Sequence, residues 1–165
     1  MKKALFIIPY FGKFSNTFPY FLKTCALNPD FNWLIVTDDQ FPYPFPENVA
    51  VQYTQFDKFV QKVQSFFDFP IAIPKPYKIC DYRAAFGVIF ADELADYQFW
   101  GHCDTDQFFG KINHFITDDI LTQYDKILCL GHFSLFRNCP RINNLYLQTD
   151  QKTGQNFQDI SIYLI

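Results

Sequence analysis

Residues 99–110 read FWGHCDTDQFFG, a nearly uncharged run that meets two aspartates, Asp104 and Asp106, with Thr105 between them. A short apolar run bounded by turn-forming residues is the pattern of a buried strand. Its end carries two like charges in apolar surroundings, which either mark an ordinary strand-to-turn boundary or hold a cation. Asp is common just after strands because its carboxylate bonds nearby backbone N–H groups, so an isolated D-x-D is a weak motif. Here the buried strand before the pair and Phe108-Phe109 after it favour a site, since desolvated like charges call for a counterion.

Working outward, the same pattern recurs. KALFII (3–8) is a buried strand ended by Pro9, NWLIVTDD (32–39) is a second, and VAVQYT (49–54) a third. Helical segments fall between them. FPYFLKTCAL (18–27) has Asn16 or Thr17 as cap and Pro19 in its first turn, where proline is tolerated. In FDKFVQKVQSFF (56–67) the apolar residues Phe56, Phe59, Val60, Val63 and Phe67 share one face. CDYRAAFGVIFADELADY (80–97) reads as one longer helix, and TDDILTQY (117–124) as a short capped one. DKILCLGHFSLFRN (125–138) supplies one or two more strands, while the proline-rich stretches 38–48 and 67–77 are loops. The expected fold is α/β, with a mixed, mostly parallel central sheet flanked by helices.

Composition narrows the function classes. The chain has 165 residues, enough for a single domain with a real core. We expect residues 1–138 to form its body and 139–165 a C-terminal extension of the same domain. A net charge of −3 and no run of Lys or Arg argue against a nucleic-acid partner, which needs basic surface. No apolar run reaches the length of a membrane span. The start, MKKALFIIPYFG, is broken by Pro9 and lacks a small-residue cleavage site, so it reads as a first strand rather than a signal peptide. Five cysteines without a C-x-x-C pair fit reduced, mostly buried thiols and a cytoplasmic location. A zinc site drawn from Cys103, Cys129, Cys139, His102 or His132 matches no zinc module.

In an open α/β sheet, ligands sit outside the carboxyl ends of the strands. Three such ends carry chemistry: Pro9-Tyr10-Phe11-Gly12, Thr37-Asp38-Asp39 and Asp104-Thr105-Asp106. Placed side by side, they would gather an aromatic loop and up to four carboxylates in one crevice. The chain contains neither G-x-G-x-x-G after its first strand nor G-x-x-x-x-G-K-[ST], so a glycine-loop phosphate cradle is not indicated. Carboxylates offer another route, because oxygen ligands hold Mg²⁺ or Mn²⁺ and the ion binds a diphosphate. For Asp38-Asp39, with prolines following, a plain turn role is at least as good a reading.

The ordered set FIIPYFG, WLIVTDD, KPYKICDYRAAFGVIFAD and FWGHCDTDQFFG resembles DxD-type glycosyltransferases of the GT-A, Rossmann-like fold. More narrowly it is similar to a bacterial group of glycosyltransferase-like proteins associated with surface polysaccharide synthesis. The resemblance spans roughly residues 3 to 138. It implies a nucleotide-sugar donor, usually a UDP-sugar, a saccharide or other hydroxyl acceptor, and a Mn²⁺ or Mg²⁺ ion. It further implies that Asp106 ligates the metal and that Asp104 binds metal, ribose or both. The Pro9-Tyr10-Phe11 turn would lie against the nucleoside, and Asp38 or Asp39 would bond base or ribose. Lys78, Asp81 and Arg83 match the positions leading toward the D-x-D, where a cation would offset diphosphate charge. Alternative readings are a Lys78–Asp81 helix pair and a solvated Arg83; for His102 and His132, a role as late metal ligand or acid/base group stands beside the better reading of packed or strand-face imidazoles.

Family members usually continue further, with acceptor contacts and often a late metal-binding histidine. This chain stops at QDISIYLI, and no catalytic base is identified. A truncated or degenerate GT-A domain that binds a nucleotide sugar or a partner without turnover is therefore a rival reading. A phosphatase with an aspartyl nucleophile is a third. There, however, the D-x-D follows the first strand, with Thr or Val where Phe108 stands.

Overall fold

The apolar runs at 3–8, 32–37 and 97–103 become three of the four inner strands of a six-stranded mixed sheet. In the computed structural model, which describes residues 1–148 and Gly154, the strands are β1 (Lys2–Pro9), β2 (Phe31–Thr37), β3 (Val49–Tyr53), β4 (Tyr97–Cys103), β5 (Lys126–Leu130) and β6 (Phe133–Arg137). Their order across the sheet is β3-β2-β1-β4-β6-β5. The first four are parallel. β6 runs antiparallel to β4, and β5 antiparallel to β6. The carboxyl ends of β1, β2 and β4 thus share one edge with the amino end of β6. The expected α/β sheet is present, and the final segment resolves into two strands rather than one.

Both faces of the sheet are covered. Phe6, Phe31, Trp33 and Phe99 pack on one face with Phe18, Phe21, Leu22 and Cys25 of helix α1 (Phe18–Ala26). Leu5, Ile7, Leu34, Val36 and Trp100 pack on the other with Phe59 and Val63 of α2 (Phe56–Gln64). Strands buried on both sides read as continuous apolar runs, which is why these were visible in the sequence. At the start of α1, Thr17 occupies the capping position, but its side chain bonds Ser15 instead of the helix. In α4 (Asp118–Gln123), by contrast, Thr117 accepts the Ile120 N–H at 3.3 Å as a true cap.

The long helix expected over 80–97 is not there. A 3-10 helix runs over Pro76–Ala85, a single α-turn, α3 (Phe86–Ile89), follows it, and turns lead on to β4. The reason lies in a period of three. Ile79, Tyr82 and Ala85 are the apolar residues that pack into the core, with Lys78 buried beside them, and a 3-10 helix eclipses i and i+3. An α-helix would rotate that stripe away from the core. Three ridges result: 79/82/85 faces the core, 77/80/83 is the second, and 78/81/84 the third.

The first part of the C-terminal extension packs on the body. Helix α5 (Pro140–Asn143) buries Ile142, and Asn143 accepts the Trp100 indole N–H at 2.7 Å. The later part of the extension, including QDISIYLI, lies outside the described residues. No helix among the described residues is long and apolar enough to cross a membrane.

Gly101 sets how closely β4 and β6 can approach. A Cβ there would lie 2.3 Å from the Ser134 carbonyl oxygen and 2.8 Å from Leu135 Cδ2. Backbone cannot yield as a side-chain tip can, so Gly101→Ala should destabilise the protein by about 3 kcal/mol. Urea unfolding measures this, and a midpoint unchanged from wild type would contradict the tight pairing.

Candidate functional site

Three backbone connections build the shared edge of the sheet. The Tyr10 N–H donates to the Val36 carbonyl at 2.8 Å, extending the β1–β2 pairing by one residue. The Asp104 N–H donates to the His132 carbonyl at 3.0 Å, which does the same for β4 and β6. Gly12, at φ 98, turns the chain after β1 and donates its N–H to Asp38 Oδ1 at 2.7 Å. A positive φ of this kind favours glycine because it lacks a Cβ.

Between these ends lies a cavity of about 730 Å³. Pro9 and Tyr10 line it from the end of β1 and just beyond, Asp104, Thr105 and Asp106 from the loop after β4, Gly131 from the β5–β6 turn, and Tyr77, Cys80 and Arg83 from the 3-10 helix. The last three are one complete ridge of that helix. The Arg83 guanidinium forks, donating to Asp104 Oδ1 at 2.6 Å and to the Gly131 carbonyl at 2.5 Å. Asp106 is exposed and has no hydrogen-bond or ion-pair partner among the described residues. The site therefore presents a positioned guanidinium, one carboxylate paired to it and one free carboxylate.

Of the residues singled out in the sequence, Pro9, Tyr10, Arg83, Asp104 and Asp106 come together in this cavity. Phe11 does not. Its ring is buried against Phe56 and Phe59 of α2, at 5.4 and 5.3 Å between centroids, so it belongs to the core. Lys78 and Asp81 form an ion pair with each other on the neighbouring ridge of the 3-10 helix. Neither lines the cavity.

Asp38 and Asp39 are also turned elsewhere. Asp38 holds Gly12, and Asp39 accepts from the Phe14 N–H at 3.2 Å, the Phe41 N–H at 3.1 Å and the Tyr43 hydroxyl at 3.1 Å. The two carboxylates clamp the loop after β1, and Tyr10 stacks on Phe14 within that loop at 4.4 Å. Their contribution to the cavity is to fix where Tyr10 stands.

His102, Tyr77 and Cys80 line the cavity without having been assigned to it from sequence. For Tyr77 and Cys80 the signal was the period of three shared with Arg83. His102 is 6% exposed, and its Nδ1 has no partner among the described residues. Burial first, and then the electrostatic influence of nearby Arg83, Lys126 and His132, push its pKa down to about 3. It therefore stays neutral.

The five cysteines are free thiols, and only Cys25 and Cys103 are fully buried. Among the described residues no three His, Cys, Asp or Glu side chains form a group that could hold a metal. Cys103, Cys129, Cys139, His102 and His132 thus make no zinc cage.

Desolvation acts upward on the Asp39 carboxyl, but its bonds from Phe41, Phe14 and Tyr43 hold it below the usual carboxylate value. A native pKa below the unfolded one adds stability that is present above about pH 4 and lost as pH falls through the native value. Asp39→Asn should therefore lower the melting temperature at neutral pH, and the gap to wild type should close on acidification toward pH ~3. A gap independent of pH in thermal melts would show that the charge on Asp39 does not hold the loop.

No curated protein and no solved structure matches this chain. One family model does match, over residues 6–162, nearly the whole length. The chain belongs to that family, described as a family of unknown function, DUF6625.

Proposed function

We propose that the protein is a metal-dependent glycosyltransferase of GT-A type, moving a sugar from a nucleoside-diphosphate donor, most simply a UDP-sugar, to a hydroxyl acceptor. The observation that carries this reading is the Asp104-Thr105-Asp106 end of β4 in a 730 Å³ cavity, with Arg83 bonded to one of its carboxylates. The volume is within the range of small-molecule sites.

The donor set suits Mg²⁺ or Mn²⁺. Such ions take hard oxygen ligands, and Mg²⁺ is typically held by one or two carboxylates with substrate phosphates and water filling the rest. Asp106 is free to bind, and Asp104 keeps Oδ2 beyond the oxygen that Arg83 occupies. A bound ion would supply Lewis-acid stabilisation of the charge on the departing diphosphate.

The chain's own residues divide the remaining work. Arg83 offers a guanidinium whose fork suits phosphate oxygens. Tyr10, held by its stack on Phe14, offers an aromatic surface to the nucleoside. In the reaction, the acceptor oxygen bonds to the anomeric carbon as the bond from that carbon to the diphosphate breaks. The electron pair leaves on the nucleoside diphosphate, and the hydroxyl proton is released with it.

Thermal-shift measurements with UDP, with and without Mn²⁺, test the reading directly. Wild type should be stabilised by UDP only when the ion is present, and Asp106→Asn should lose that gain. Because Asp106 is exposed and unpartnered, the variant without ligand should melt within about 0.5 kcal/mol of wild type. If no nucleotide stabilises the protein with either ion, the donor-site reading is wrong. In turnover assays Asp106→Ala should cost on the order of 10³ in rate.

Arg83 makes a separate prediction. Removing its charge frees Asp104 and ends a repulsion next to the ion. Arg83→Ala should then bind Mn²⁺ alone on the order of tenfold more tightly while binding UDP–Mn²⁺ less well. Calorimetric titration reads both affinities, and values unchanged from wild type for the two would place Arg83 outside the site.

A further inference from the structure

A second cavity, of about 300 Å³, opens beside the first. Its walls begin where those of the carboxylate cavity stop. Asp106 lines one and Gln107 the other, and likewise Gly131 lines one and His132 the other. The two cavities are thus separated by consecutive residues of the same two loops.

Its lining is unusual for a surface. Phe108 is 56% exposed and Phe115 77% exposed, although large rings usually bury most of their area. Leu128, also exposed, sits at φ 61 beside an irregularity in the β5–β6 pairing. A branched residue in that conformation is strained, and such strain concentrates at ligand sites. Polar groups lie among the apolar ones. Gln107 Oε1 is buried without a partner among the described residues, and Lys111 and His132 stand exposed in the same wall.

We propose that this cavity is a saccharide subsite, where the sugar ring of the acceptor lies against Phe108 and Phe115. The inference rests on the donor reading above for its place in the reaction, but not for its binding chemistry. One face of a pyranose presents polarised C–H bonds, which lie well on the negative face of an aromatic ring. Its rim presents hydroxyls, which suit Gln107, Lys111 and His132. An alkyl chain would meet the rings but leave Gln107 Oε1 buried and unpaired, at a cost. A sugar satisfies both kinds of group, and the shared wall puts its hydroxyls next to the donor cavity.

The test uses saturation-transfer-difference NMR on the full chain, without nucleotide or metal. The probes are methyl glycosides of glucose, galactose, N-acetylglucosamine and glucuronic acid at millimolar concentration. At least one should receive saturation from the protein, strongest at its ring C–H protons. Phe115→Ala and Gln107→Ala should each reduce that transfer about fivefold or more. Phe115 is so exposed that its loss should not unfold the chain, and a thermal melt of each variant verifies this.

No transfer to any of the four probes overturns the proposal, as does transfer that both variants leave unchanged. A wild-type dimer that Phe115→Ala converts to monomer, measured by sedimentation, also overturns it by showing that a second copy covers the rings. The UDP–Mn²⁺ thermal shift reports on the donor site independently. Glycoside binding without that shift would sink the donor reading and leave the saccharide site standing, and the reverse result would do the opposite.

Discussion

The Arg83 guanidinium ties together three parts of the chain that meet at one edge of the sheet. One arm holds Asp104 at the end of β4 and the other holds the Gly131 carbonyl in the β5–β6 turn. Arg83 itself is carried on the 3-10 helix. As an energy term the ion pair is small. Its side chains are 22% and 39% exposed, and partly exposed pairs are worth about 0–1 kcal/mol. Its importance is positional, because a planar fork with two acceptors fixes direction as well as distance. The fork spans two cavity walls that the Asp104 N–H to His132 carbonyl bond also joins, and it fixes the carboxylate between them.

What sets Arg83 at that place is the period of the helix beneath it. In PYKICDYRAA the apolar stripe Ile79, Tyr82, Ala85 recurs every third residue, and the ridge beside it is Tyr77, Cys80, Arg83. That spacing was present in the sequence, but it runs into a longer stretch, 80–97, whose composition suits an α-helix. The family resemblance treats Lys78, Asp81 and Arg83 as one functional group. The period of three separates them, giving Arg83 to the cavity and pairing Lys78 with Asp81. Helix type therefore decided which charges could meet a ligand, and hydrophobic pattern over a short segment is a weak guide to helix type.

The strands were legible for the opposite reason. β1, β2 and β4 are covered on both faces, so nearly every side chain in them is apolar and the runs stand out. The ends of those strands were legible as polar clusters, yet not in their orientation. Asp38-Asp39 and Asp104-Asp106 are both acidic strand ends, and only the prolines after the first and the Phe108-Phe109 pair after the second separate them in sequence. Asp39 has three donors around it, supplied by the Phe14 and Phe41 amides and by Tyr43, whereas Asp106 has none among the described residues. The difference is local in part, since Phe41 and Tyr43 follow Asp39 in the same turn, and in part non-local, since Phe14 comes from the loop after β1 and no local pattern encodes that contact. Phe11 illustrates the same limit, since a single residue after β1 decides whether a ring faces the cavity or, as here, α2.

The direction of β6 bears on how two binding regions can share one wall. Because β6 runs antiparallel to β4, its amino end returns to the edge where β1, β2 and β4 finish. The Gly131-His132 turn therefore stands opposite Asp104-Asp106, and the Asp104 N–H bonds across to His132. A sixth strand parallel to the others would have put that turn at the far edge. Arg83 would then lack its second acceptor, and the smaller cavity would lack the wall that His132 and Phe133 supply. One antiparallel strand at the border of a parallel sheet thus closes the first cavity and creates the second. For a transferase this arrangement has a direct consequence. Donor and acceptor would approach from opposite sides of the same two loops, which would set the reacting groups side by side without a separate positioning element.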